Sequence, residues 1–259
     1  MSTLRPLRFS VCVAHRWLAL GGLALLAACA AAPATAPDYA AVVAAPDRLA
    51  SDRDIDRRRD PERLLAYTGV RPGMKVLDVN SGAGYTTELL SRVVGSSGVV
   101  YAQDSQATVE RVKDRYDKRL QNAPMKNVVR VVRDYEDPVP PGVRDLDLVT
   151  LFFFYHDIAN MSGVDRVRMN RRVFDALKPG GVFVVADHSA RTGEGTSVTN
   201  TLHRIDEAVV RLEVEAAGFQ LVGEGGFLRH PEDPRDGRVF QSKVPVDEFV
   251  LKFRKPEKR

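Results

Sequence analysis

Short aliphatic runs alternate along this chain with longer segments in which apolar residues recur every three or four positions. The runs at 74–79, 98–103, 127–132, 145–153 and 180–186 have the length and composition of buried strands. Between them, 85–94, 105–120 and 163–177 carry helical periodicity. The last ends in "LKPGG", where Pro179 and Gly180 stop it. Strand, helix and strand repeated this often predict an α/β domain. Its sheet is doubly wound and mostly parallel, with helices on both faces. A late helix is expected over 201–217, with Leu202, Ile205, Val209, Leu212 and Ala216 as its apolar stripe. "FQLVGE" (219–224) and "DEFVLKFRK" (247–255) bring the strands to seven as a hairpin-like pair. The segment between them is rich in turn residues. Upstream, 47–70 mixes charges of both signs; its latter half, with Leu64, Leu65 and Tyr67, predicts a helix lying on the domain, its charges solvated.

The first residues do not belong to this pattern. Arg5, Arg8 and Arg16 precede an apolar run at 17–28 that is short for a bilayer span. "LAAC", Leu26 to Cys29, resembles the lipobox of bacterial lipoproteins, in which the cysteine is lipidated and becomes the new N-terminus. On that reading 1–28 is a lipoprotein signal peptide. The Ala/Pro-rich 29–46 is a tether, and 47–259 is the domain. The domain would then sit in the cell envelope, lipid-anchored and facing the periplasm; an unused signal would leave it cytoplasmic. A processed chain keeps one cysteine, so no disulfide forms within it. Charge adds one exclusion. The formal net charge is +4, but omitting 1–28 leaves 35 basic residues against 34 acidic ones. Such a near-neutral body gives no reason to expect nucleic acid.

The candidate chemistry begins at "VLDVNSGAGY" (76–85), a glycine loop at the end of the first strand. A phosphate loop would need Gly-Lys-Ser/Thr, which is absent. A dinucleotide loop would need a third glycine where Thr87 stands, and it has no use for Asp78. An acid there suits a cationic ligand without phosphate. The stretch resembles motif I of the class I S-adenosylmethionine-dependent methyltransferases, Asp-x-Gly-x-Gly-x-Gly. Asp78, Gly82 and Gly84 match it, and Asn80 departs. Asn80 suits a position that needs only a positive φ, and is harmful where backbone must touch ligand. Asp104 ends the second strand, 20 residues past Gly84, where the resemblance implies a ribose contact; Asp134 follows the third strand as the adenine-side acid. "DLDLVTLFFFYHD" and "VFDALKPGGVFVVADHSA" extend the likeness, which covers about 60–255. Further segments resemble a little-characterised bacterial group of predicted methyltransferases. The resemblance implies a Rossmann-like fold and S-adenosyl-L-methionine as cofactor.

Methyl transfer needs an aligned acceptor and often a base, expected at the ends of the fourth and fifth strands. His156 and Asp157 stand at the first end, Asp187 and His188 at the second, and His203, Arg204 and Asp206 in the late helix. His203 is expected on one helix face with Asp206 and Glu207. His156 or His188 is the expected base. Arg204 can grip a substrate carboxylate or pair internally with Asp187 or Asp206. Asp157, Asp187, His188 and His203 lack the tight spacing of a ligand set, so no metal is expected. The loop 189–200 can serve as a lid. The leading expectation is methyl transfer to a small molecule, with no nucleic-acid partner and the lipid anchor as the only membrane contact. The alternative is a non-catalytic envelope lipoprotein that binds a nucleoside-like or other small ligand. An NAD-dependent oxidoreductase is weaker, lacking the third glycine.

Overall fold

The computed structural model describes residues 36–257. The signal peptide at 1–28 and Cys29 lie outside the described residues. Three helices come first: α1 (Tyr39–Ala44), α2 (Asp52–Arg59) and α3 (Pro61–Thr68). Then β1 (Lys75–Val79), α4 (Tyr85–Val94), β2 (Val99–Asp104), α5 (Gln106–Leu120) and β3 (Val128–Val132) alternate. β4 (Leu146–Phe152) leads into α6 (Tyr155–Asn160) and α7 (Arg166–Ala176). β5 (Leu177–His188) is followed by α8 (Thr199–Leu202), α9 (Glu207–Ala216), β6 (Gln220–Gly225) and β7 (Glu248–Arg254).

The sheet runs β3-β2-β1-β4-β5-β7-β6, with β7 antiparallel to both neighbours and the other pairs parallel. Strand order reverses between β1 and β4. A crevice therefore opens at their C-terminal ends, where ligands bind in such sheets. Alternate residues of the central strands feed two cores. Val149, Leu151, Phe183, Val185 and Leu251 pack with α7 and α9 through Met169, Val173, Val210 and Val214. Leu148, Val184, Ala186 and Val250 pack with α3 and α4 through Leu64, Leu65, Leu89 and Leu90. Burial on both faces explains why these strands are uniformly aliphatic.

Several elements differ from the sequence expectation: the pattern does not foresee α6, and β5 already begins at Leu177, so Pro179 and Gly180 lie within the strand. The stretch read as a tether contains α1, whose Val42 and Val43 pack on the second core and whose Tyr39 hydroxyl donates to Val70 O at 2.7 Å. The charges of the second segment are not all solvated: Arg48 and Asp52 are buried. The late helix does not begin near 201. His203 has φ +56°, α8 ends before it, and Ile205 forms a parallel bridge to Ser189. Asp206 then caps α9, accepting from Ala208 N at 3.0 Å. The break shifts the buried stripe to Val210 and Val214 and leaves Leu212 71% exposed. His203 therefore shares no helix face with Asp206 or Glu207. Among the described residues, no helix is long and apolar enough to cross a membrane.

Candidate functional site

Asp78 sits in β1 beside Thr150 of β4. Its carboxylate is buried and accepts from Thr87 Oγ1 at 2.6 Å and Thr150 Oγ1 at 2.9 Å. Thr87, where a dinucleotide loop would carry glycine, thus holds the acid in place. Burial pushes the Asp78 carboxyl up to about 6. Asn80 adopts φ +58°, the left-handed conformation a glycine would take. Its Oδ1 accepts from the Tyr135 hydroxyl at 2.8 Å, so the amide is engaged by the protein itself. Gly84 has φ +81° and caps α4; a Cβ there would lie 2.8 Å from Arg119 Cδ. Arg119 cannot yield freely, because it is buried and donates to Ala83 O, Asp52 and Glu88.

The acid expected on a ribose is placed differently. Asp104 is fully buried, and its two oxygens accept from Ser81 Oγ at 2.5 Å and Gly82 N at 2.9 Å. Both oxygens are turned inward to the loop, so Asp104 shapes the loop and presents no open face to a sugar. Burial pushes its pKa, too, up to about 6. Asp134 is exposed and lines a separate cavity of about 380 Å³ with Gln106 and Arg168. The structure does not bring it together with Asp78.

The crevice at the loop measures about 190 Å³ and is lined by Ile55, Arg59, Asp78, Asn80, Ser81, Gly82, Tyr85 and Phe153, among others. Pockets that enclose a drug-sized ligand hold roughly 300–1,000 Å³. A ligand of nucleoside size would therefore extend beyond this one. Sequence reasoning missed Arg59, at the last turn of α2. Its guanidinium carbon lies 4.3 Å from the Phe153 ring centroid and 5.6 Å from that of Tyr85. Asp60, at φ +39°, and Pro61 turn the chain sharply behind it. Nothing in the "RRRD" run distinguishes Arg59 from its neighbours. Its place depends on α2 docking through Asp52–Arg119 and Asp56–Arg48, with Asp56 also accepting from the Tyr85 hydroxyl.

Phe153 divides the crevice from a histidine cluster. It has φ +56°, an uncommon conformation for a bulky residue, and its N–H donates to Ala186 O at 2.7 Å. The His188 ring lies 5.4 Å away, and His156 is 5.5 Å from both His188 and His203. His188 Nδ1 is 2.9 Å from Glu248 Oε1 on β7. His156 Nδ1 is 2.7 Å from Asp187 Oδ1, while the backbone N–H groups of His156 and His188 also donate to that carboxylate. Burial lowers the His156 pKa, but Asp187 more than offsets this and raises it above the ordinary value. Asp187 is correspondingly held low despite burial, chiefly by His156. The fold thus gathers His156, His188, His203 and Asp187, as the sequence suggested. It does not gather Arg204, which is fully buried and grips Asp233 at 2.8 and 3.2 Å. Neither Asp187 nor Asp206 is its partner. The loop 189–200 is tied to Asp206 through Gly193 N and Gly195 O.

Residues 41–141 match the family model described as protein-L-isoaspartate(D-aspartate) O-methyltransferase. A ubiquinone/menaquinone biosynthesis C-methyltransferase of Cronobacter sakazakii is 30% identical over 171 residues, 64% of this chain and 63% of that protein. One of the same description from Vibrio campbellii is 32% identical over 123 residues, 47% of this chain and 44% of that protein. The chain therefore spans less than two thirds of these curated relatives. The crystal structure of a SAM-dependent methyltransferase from Aquifex aeolicus aligns with TM-score 0.57 and 22% identity, covering 84% of this chain and 98% of that one. That likeness concerns the fold.

Proposed function

We propose that this chain is a class I S-adenosylmethionine-dependent methyltransferase and that it methylates a small acceptor bound against the ends of β4 and β5, a reading supported by its likeness to methyltransferases in sequence and fold. The two methyltransferase descriptions it matches name different acceptor atoms, oxygen and carbon, so neither acceptor is carried over. The comparisons favour catalysis over a binding-only lipoprotein.

The crevice fits the cofactor at its amino-acid end. Among the described residues Arg59 has no carboxylate in an ion pair with it, and it lines the crevice with the loop, which suits a free carboxylate. The Asp78 charge, set behind Thr87 and Thr150, favours a cationic centre nearby. S-adenosylmethionine, when bound, supplies a methyl group on a sulfonium. What the chain itself contributes on the acceptor side is His188. It packs on the far side of Phe153 with the Glu248 carboxylate 2.9 Å from its Nδ1, and it is the ring we assign to take a proton from the acceptor. The observation that carries this reading is Phe153: one strained aromatic forms a wall of the loop crevice and a wall of the histidine cluster.

Calorimetric titration with S-adenosylhomocysteine is the test. Absence of binding at high micromolar ligand would overturn the reading. If binding is seen, Arg59→Ala is expected to weaken it by about 1.5–3 kcal/mol, the worth of a charge-assisted hydrogen bond. A thioether nucleoside lacking the amino-acid carboxylate should bind both forms alike.

A further inference from the structure

We infer that His156, Asp157 and His203 form a binding site for one divalent transition-metal ion beside the acceptor. One donor atom from each lies within 4.8 Å of the others. Asp157 Oδ1 stands 3.5 Å from His156 Nε2 and 3.4 Å from His203 Nδ1. Bonds of about 2.0–2.2 Å to zinc place two ligand atoms of a tetrahedral site about 3.3 Å apart. The two nitrogen–oxygen separations are already near that value. Only the two histidine nitrogens need to approach, by at most about 1.5 Å on the same geometry.

Among the described residues, neither nitrogen has a hydrogen-bond partner, and both are buried. His156 is only 2% exposed, so its Nε2 cannot turn to bulk water. Leaving such atoms unsatisfied is costly, and an ion between them satisfies both at once. The support behind His156 is already built. Asp187 Oδ1 lies 2.7 Å from Nδ1, so in the neutral ring that metal binding requires the proton stays on Nδ1 and the lone pair is on Nε2. Metal-binding histidines are normally held by a carboxylate in this way. Two imidazoles and one carboxylate select zinc and its first-row neighbours over magnesium or calcium, which prefer oxygen alone. Three protein donors match an open, catalytic type of site, not a closed structural one.

One contact opposes the ion. Arg238 Nη2 is 3.4 Å from His203 Nε2, and a metal on Nδ1 would move the ring proton to Nε2. Arg238 is exposed and free to turn away. No local signal in the sequence joins these residues, because the break at His203 and the short α6 bring them together. The metal site stands without methyl transfer. Its use, holding the acceptor while His188 takes the proton, rests on that reading.

The full chain, stripped by chelator, is titrated with Zn²⁺ by calorimetry and with Co²⁺ by visible absorption. The expected result is one ion per chain, with Co²⁺ bands free of thiolate charge transfer. His203→Ala and Asp157→Ala, at partly exposed positions that need not disturb folding, should each weaken binding at least about 100-fold, the upper range for loss of an outer partner alone. Arg238→Ala should bind at least as tightly as the parent. No saturable binding, thiolate bands, or binding indifferent to both ligand substitutions would overturn the site. S-adenosylhomocysteine affinity, measured on the same stripped sample, fails or survives independently, and so separates this inference from the methyltransferase reading.

Discussion

Asn80 shows how one residue can depart from a motif and still do its local work. The left-handed backbone is retained, and the amide, with no ligand needed to occupy it, accepts from Tyr135. Asn80→Gly should therefore keep S-adenosylhomocysteine affinity within about threefold while losing roughly 1 kcal/mol of stability with the hydrogen bond. Tyr135→Phe should lose a similar amount. Calorimetry and urea denaturation check both; a tenfold affinity loss in Asn80→Gly alone would show that the amide touches the ligand. Asp78 and Asp104 give a pH signature. Burial raises both from 3.8 to about 6, so their ionisation opposes folding by roughly 3 kcal/mol each. A raised carboxyl stabilises fully below its unfolded pKa, and that contribution is lost as pH rises through about 6. The urea midpoint should rise between pH 7.5 and 5.5, and Asp78→Asn should flatten the rise. Over the same range, affinity for the sulfonium cofactor should fall relative to neutral-sulfur S-adenosylhomocysteine, because a protonated Asp78 no longer attracts the cation. Equal pH dependence for the two ligands would remove Asp78 from the cofactor's field.

At the scale of elements, α2 is the one whose role changed most. Its charges looked like a solvated face, yet Asp52 accepts from both terminal nitrogens of buried Arg119 at 2.8 Å. Glu88 completes the group at 2.6 Å. That anchor fixes Ile55 and Arg59 in the crevice, joining the helix before β1 to the one after β2. Asp52→Ala leaves a buried guanidinium short of a partner and should cost about 3 kcal/mol or more in urea unfolding. The same substitution should weaken S-adenosylhomocysteine binding, because Arg59 loses its support. Full affinity in a destabilised variant would separate α2 from the site. The late helix makes the complementary point. A continuous apolar stripe could be drawn from Leu202 to Ala216, but pairing of Ile205 with Ser189 interrupted it and turned His203 towards His156. Periodicity alone does not register such an interruption, since the competing hydrogen bonds come from a different strand.

At the scale of the whole molecule, we propose from the lipobox-like "LAAC" that the chain is anchored in the cell envelope, and Cys29 is the residue to change. Cys29→Ser should release the chain from the membrane fraction of its host, as cell fractionation would read. A variant that still sediments with membranes would refute lipidation as the anchor. The sequence by itself determined the seven strands, their mostly parallel order and the loop carrying Asp78, Asn80, Gly82 and Gly84. These depend on alternation, helical period and backbone conformation, which neighbouring residues set. It also placed Asp187 and His188 at the end of β5, because the ends of aliphatic runs are visible in a linear text; His156, expected at the end of β4, stands in α6 just beyond it. Only the tertiary structure decided which charges meet. It closed Asp104 on Ser81 and Gly82, gave Arg204 to Asp233, left Arg59 in the crevice and set His203 against Asp157. Those pairings join segments tens of residues apart, and the sheet order and the docking of loops across its end fix them.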